Sequence, residues 1–211
     1  MPARSQIAMT LTAAAVLSGA ALVLTTAPAT QATNAAIQED IKPGTFRIDA
    51  GHSNVNFRVV YMSSSHFFGR FNDFEGSFLV DPSDVENSYI KLAVMTDSVD
   101  TNSERRDSHL TNEDFFFARQ FPKATFVSTS AELVDDDTLR FTGDFTLRGV
   151  SQEVTVDVDV VGTTQDTRRN ATRSGWITTL TFNRSDHNVV YGIPGLSDET
   201  ELTISITGLQ Q

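Results

Sequence analysis

From Gly44 onward, apolar side chains recur at every second position, and few folds accept that pattern repeated so often. Val55, Phe57, Val59 and Tyr61 alternate with Asn54, Asn56, Arg58 and Val60. Phe74, Gly76, Phe78 and Val80 form a second row, and Ile90, Leu92, Val94 and Thr96 a third. Leu139, Phe141, Gly143, Phe145 and Leu147 alternate with Arg140, Thr142, Asp144 and Thr146. Val154, Val156, Val158 and Val160 follow, then Trp176, Thr178, Leu180 and Phe182, then Leu202, Ile204 and Ile206. Successive side chains of a strand point to opposite faces, so each row is a dry face backed by a wetter one. With segments 45–48 and 125–133, the rows amount to about eight or nine strands. One dry face per strand marks antiparallel pairing. Turn-forming residues separate the rows at Asp81-Pro82-Ser83, Asp135-Asp136-Asp137, 148–151 and 192–197. Closing such a sheet removes its unpaired edges. Eight strands leave an interior that side chains fill or that holds one small ligand. The expected fold is therefore all-β, an antiparallel sheet that gains by closing on itself.

Alternation stops between Thr101 and Pro122. Thr101 and Glu104 have capping-box spacing, Thr111 with Asp114 offers a second helix start, and Pro122 forbids continuation. One or two short helices are expected here, covering an end or a side of the barrel. Residues 62–68 read as an irregular or helical turn. Gly76 and Gly143 interrupt two apolar rows, either opening space inside or letting the strands coil.

The first 32 residues differ in composition. Arg4 precedes an apolar run from Ile7 to Leu24, and Ala27-Pro28-Ala29 places small residues at the −3 and −1 positions of a cleavage site. This is the pattern of a signal peptide over residues 1–29, cleaved after Ala29 or, alternatively, Ala32. An uncleaved anchor is the rival reading, but the run is short for about 30 Å of hydrocarbon. Residues 30–43 read as a flexible lead-in and 44–211 as the folded domain. The expected location is periplasmic, with no integral membrane span in the mature chain.

The whole chain carries 16 bases and 27 acids, a net charge of −11. Removing a leader whose only charge is Arg4 leaves 15 − 27 = −12. Such a surface repels phosphate backbones, which argues against nucleic acid as a partner. The absence of cysteine removes disulfides, thiolate nucleophiles and thiolate metal sites.

Catalytic signals are weak. His52, His66, His109 and His187 form no metal-binding spacing, and no metal or cofactor is expected. Asp49, His52 and Ser53 supply the residue types of a hydrolase triad, yet without a glycine-flanked nucleophile turn. The densest charged motif is Arg105, Arg106, Asp107 and His109. Its arginine forks suit an anionic headgroup such as a diphosphate, and they equally suit an ion pair pinning a helix. Phe115, Phe116 and Phe117 either line a channel mouth or split between core and surface.

That same region carries a family resemblance. SVDTNSERRDSHLTNEDFFFARQFPKATFVSTS (98–130) resembles the signature of the YceI-like family of polyisoprenoid-binding, lipocalin-like proteins. FRIDAGHSNVNFRV (46–59) is similar to the family's opening strand pair and FGRFNDFEGSF (68–78) to its next hairpin. FTGDFTLRGVSQEVTVDV (141–158) is similar to a later hairpin and LTISITGLQQ (202–211) to the last strand of periplasmic members. One departure is Tyr61-Met62, where many members have a histidine. The resemblance implies an eight-stranded antiparallel, lipocalin-like barrel with an apolar channel that binds an isoprenoid or other long-chain lipid; no residue is expected to be catalytic. On that basis Val55, Phe57, Val59, Phe78, Leu92, Phe126, Phe141, Phe145, Val156, Trp176 and Leu180 are the candidate channel residues. Arg105, Arg106 and His109 are the candidate headgroup contacts. A homodimer is compatible with the reading. The alternatives are a stress- or redox-linked binding module and an enzyme acting on isoprenoid quinones.

Overall fold

The computed structural model describes residues 44–210, so the expected leader and lead-in lie outside the described residues. Eleven strands form one antiparallel sheet: β1 (Phe46–Ile48), β2 (Asn54–Tyr61), β3 (Ser65–Phe71), β4 (Phe74–Leu79), β5 (Tyr89–Met95), β6 (Val99–Asp100), β7 (Lys123–Leu133), β8 (Thr138–Leu147), β9 (Val150–Asp166), β10 (Ala171–Asn183) and β11 (Leu196–Gln210). Three chain paths are each broken in two. A 3-10 turn at Ala50–His52 separates β1 from β2, a bend at Asn72 and Asp73 separates β3 from β4, and a 3-10 turn at Thr96–Ser98 separates β5 from β6. The halves keep the same neighbours, because β2 pairs β3 where β1 pairs β4, and β4 pairs β5 where β3 pairs β6. The eleven strands thus follow eight paths. The last path closes on the first, with β11 pairing β2 through Ser205 and β1 from Gly208 to Gln210. The result is a closed eight-stranded antiparallel barrel, as the alternation and the family resemblance together led one to expect, and it leaves no long unpaired edge.

One local expectation is corrected and another is narrowed. Segment 68–78 is a single bent strand path rather than a hairpin, since Phe71 lies opposite Val55 and Phe78 opposite Phe46 on the same neighbouring path. Residues 62–68 are not helical. Met62 and Ser63 adopt left-handed backbone angles in a tight turn, and Ser65 already begins β3.

The inward rows divide by height. At one end, Phe46 stacks on Phe78 at 5.4 Å between ring centres, and Trp176 meets Phe78 edge-on at 5.8 Å. Leu139, Phe141 and Ile206 are buried with them. These side chains fill the barrel and form a floor. Gly76 and Gly143 serve strand packing rather than open space. A Cβ on Gly76 would collide with the Lys91 carbonyl oxygen, and one on Gly143 would lie 2.5 Å from that of Val127.

At the other end, one helix, α1 (Glu104–Leu110), covers the barrel. Its N-cap is Ser103, not Thr101. Thr101 instead donates its backbone N–H and its hydroxyl to the Asp107 carboxylate. Arg106 donates Nε to Thr101 Oγ1 and a guanidinium N–H to the Thr101 carbonyl, both at 2.7 Å. The helix is therefore clamped to the strand that precedes it. Thr111 is its C-cap, and residues 112–120 run as turns instead of a second helix.

Candidate functional site

Above the floor the inward rows separate around a cavity of about 160 Å³. Its wall combines Val55, Phe57 and Val59 of β2 with Leu92 of β5, Phe126 of β7, Phe145 of β8, Val156 of β9, and Trp176 and Leu180 of β10. These are nine of the eleven residues expected to face a channel. The other two, Phe78 and Phe141, are wholly buried in the floor and do not reach the cavity. Alternation placed them on the correct face but carried no information on height.

The cavity continues toward the helix-covered end, where Phe67, Arg106, Leu110, Phe115, Val189 and Leu196 complete the lining. Arg106 is solvent-exposed there and Phe67 partly so, which makes this end the mouth. The Arg106 guanidinium sits 4.5 Å from the centre of the Phe67 ring, a cation–π contact that holds the charge at the opening. Of the three headgroup candidates, only Arg106 lines the cavity. Arg105 is exposed on the outer side of α1. His109 hydrogen-bonds Asp114 at 2.9 Å and packs edge-on against Phe115 and Tyr191 at 5.1 and 5.0 Å. It joins α1 to the loop between β10 and β11.

Arg184, the first residue after β10, belongs to the same site and has no signal in the sequence. It is 6% exposed and lines the cavity. Its guanidinium donates to four backbone carbonyls: Ser197 at 2.8 Å, Val189 and Tyr191 at 2.9 Å, and Leu196 at 3.2 Å. Burial pushes its pKa below the ordinary arginine value. Those carbonyls stabilise the charge and pin the 189–197 loop over the mouth. Beside it, Asp198 accepts from the Ser185 hydroxyl and backbone N–H, which hold its carboxyl below the usual range. His187 is buried against Phe145 and Phe182, with Nδ1 3.0 Å from the Val150 carbonyl, and burial lowers its pKa.

The residues of the would-be hydrolase triad do not form a relay. Ser53 Oγ donates to the Asp49 and Thr207 carbonyls, not to His52. His52 is 61% exposed in its side chain and contacts Asp49 from solvent. Asp49 instead accepts from Arg173 at 2.8 Å and Arg169 at 3.1 Å, and Arg173 also reaches Asp166 at 3.0 Å. This network braces the floor end of the barrel. Arg173 above all holds the Asp49 carboxyl down at about 2. Among the described residues, no group of three or more histidine, aspartate or glutamate side chains stands close enough to hold a metal ion. None of the helices among them is long and apolar enough to cross a membrane.

Comparison with known proteins agrees with this geometry. The YceI-like domain model matches residues 46–208. The chain is 36% identical over 160 residues to protein YceI of Salmonella newport and to that of Escherichia coli O157:H7, covering 76% of this chain and 83% of each relative. Among solved structures, Burkholderia cenocepacia BcnA superposes with a TM-score of 0.69 at 22% identity over 76% of this chain and 98% of its own. A polyisoprenoid binding domain from Saccharophagus degradans superposes with a TM-score of 0.63 at 16% identity, over 81% of this chain and 100% of its own. With a family model spanning the barrel from its first strand to its last, and relatives aligned over most of their length, this chain belongs to the YceI-like domain family.

Proposed function

We propose that the barrel is an exported carrier that holds a polyisoprenoid or related long-chain amphiphile in its apolar cavity. The observation that carries this reading is the one-ended cavity, walled by Phe, Leu, Val, Ile and Trp, with Arg106 at the opening. An engineered apolar cavity of about 150 Å³ stays dry and binds benzene, so the present cavity accepts an apolar group without adjustment. A longer chain enters by turning flexible side chains such as Leu110, Leu196 and Leu202 along the wall. Each buried methylene contributes about 0.8 kcal/mol, so ten give roughly 8 kcal/mol before ordering costs. Micromolar affinity needs about that much. Arg106 supplies an exposed cation next to the opening, suited to a phosphate or carbonyl oxygen on the guest's polar end, whereas the Arg184 guanidinium is already engaged by four backbone carbonyls. The leader-like N-terminal sequence supports a periplasmic site of action. The polyisoprenoid-binding description of the Saccharophagus degradans relative supports the ligand class.

The test is native purification followed by solvent extraction and mass spectrometry. An isoprenoid or long-chain lipid at near-stoichiometric yield is expected. Ligand-free protein that also takes up neither quinones nor polyprenols from micelles would overturn the reading.

A further inference from the structure

Large apolar side chains are unevenly exposed on this barrel. Half of those exposed among the described residues, Tyr61, Met62, Val190, Tyr191 and Ile193, lie on two loops at the mouth. The first loop is the β2–β3 turn, and the second joins β10 to β11. They are held together. Met62 N–H donates to the Gly195 carbonyl at 2.6 Å, and Tyr61 pairs with Leu196. Tyr191 ties the second loop to the helix side through Phe115, at 5.1 Å between ring centres. The tips are open, with Met62 62% and Val190 60% exposed.

The two loops are themselves uncharged, although Arg106 and Arg148 stand beside them. Residues 59–65 and 188–197 contain no Asp, Glu, Lys or Arg, in a chain whose charged content is 20% and whose net charge is −11. A neutral apolar rim on an otherwise acidic protein is suited to an interface that electrostatics neither drives nor opposes. The rim is also continuous with the cavity, because Val59, Val189 and Leu196 line the interior while their chain neighbours form the tips.

We infer that this rim docks on a phospholipid bilayer, with the Met62 and Val190 tips entering the headgroup boundary and the mouth facing the membrane. The inference rests on the carrier reading for its purpose, since an apolar guest leaving the mouth across this rim passes into lipid without crossing water. The physical claim stands on the rim itself. Tyr61 and Tyr191 bring the amphipathic ring character favoured where hydrocarbon meets water. A second copy of the chain on the same rim would seal the mouth against the guest's exit, which is why the bilayer is the assigned occupant.

The test uses residues 30–211, which hold every strand of the closed barrel, stripped of lipid and mixed with phosphatidylcholine vesicles free of isoprenoid. Flotation should carry the protein with the vesicles, to a similar extent from about 0.05 to 0.5 M salt, because phosphatidylcholine has no net charge and the inserting loop tips have none. The double variant Met62→Glu/Val190→Glu should lose at least tenfold in vesicle partition, and Val190→Trp should gain. Unchanged thermal melting and prenol uptake in both would show that barrel and cavity are intact. Three outcomes overturn the inference. One is parent protein that stays with the buffer, and another is a double variant that floats like the parent. The third is sedimentation showing a parent dimer that the double variant splits, which would assign the rim to a second copy. Vesicle binding is read without any guest, so failure of the carrier reading would leave this result standing, and the reverse.

Discussion

Replacing Arg184 by methionine should be among the most damaging single changes at the mouth. The side chain keeps much of its reach but loses every donor, leaving the carbonyls of Val189, Tyr191, Leu196 and Ser197 without their partner. A hydrogen bond from a charged donor contributes about 1.5–3 kcal/mol, so four bonds taken at face value would sum to roughly 6–12 kcal/mol. Two effects reduce that figure. Burying the guanidinium has its own cost, visible in the lowered pKa. Only the bond to Val189 is wholly buried, so water can replace the arginine at the other carbonyls. The expected loss is about 3–5 kcal/mol. For a domain of this size that lowers the melting temperature by roughly 6–20 °C. Thermal unfolding followed by far-ultraviolet circular dichroism measures it directly. Arg184→Lys keeps the charge and should fall between the two. Arg140→Met is the control, because its ion pair with Asp157 is nearly half exposed on both sides and should leave the melting temperature almost unchanged. An Arg184→Met protein melting within about 3 °C of the parent would refute the reasoning: the 189–197 loop would then hold itself.

Acid should destabilise the barrel in two stages. His187 has a lowered pKa, so its neutral form stabilises the fold above the ordinary histidine value, and that contribution falls as the pH drops below it. Asp49 is depressed from 3.8 to about 2, a contribution of about 2 kcal/mol that is lost between roughly pH 4 and pH 2. Melting temperatures across pH 2–7 should show both stages, and Asp49→Asn should shrink the lower one, to which Asp198 and other depressed carboxylates also contribute, while costing about 2 kcal/mol at neutral pH. Leu180→Trp, which projects from the wall into the cavity, should weaken uptake of a prenyl guest at least tenfold in a displacement assay, at a stability cost of about 1–3 kcal/mol that leaves the barrel folded. Undiminished uptake would place the guest elsewhere. Gly143→Ala should cost about 1–3 kcal/mol in chemical denaturation, because its Cβ would press the Val127 carbonyl of the neighbouring strand.

The fold was largely legible because alternation is a local property with a global consequence. Trp176, Thr178, Leu180 and Phe182 announce one strand face wherever they stand in the barrel, and all four reach the cavity. Height along the barrel is set by register between distant strands, which no local pattern encodes. Phe141 and Phe145 are therefore equivalent in sequence, yet one is floor and the other wall. Asn72 and Asp73 carry turn-forming chemistry, but here they bend a path that keeps the same neighbours instead of reversing it. Thr101 has the spacing of a cap and serves as the acceptor for Arg106. Arg184 was invisible for a different reason. Its partners are backbone carbonyls, and these have no signature in side-chain sequence, so a cavity-lining arginine reads as one more polar loop residue.

The closed floor built from Phe46, Phe78 and Phe141 makes the barrel a gauge of length. A chain cannot be threaded through, so whichever end enters first stops at a fixed depth and leaves last. On the proposed carrier reading, guests shorter than that depth should gain with every added carbon, and longer ones should leave the surplus outside. Across a homologous series of prenols, affinity should therefore climb and then level off. The carbon number at the break would report the distance from the mouth to the Phe46–Phe78 stack, and enlarging the floor by Phe78→Leu should move the break to longer chains.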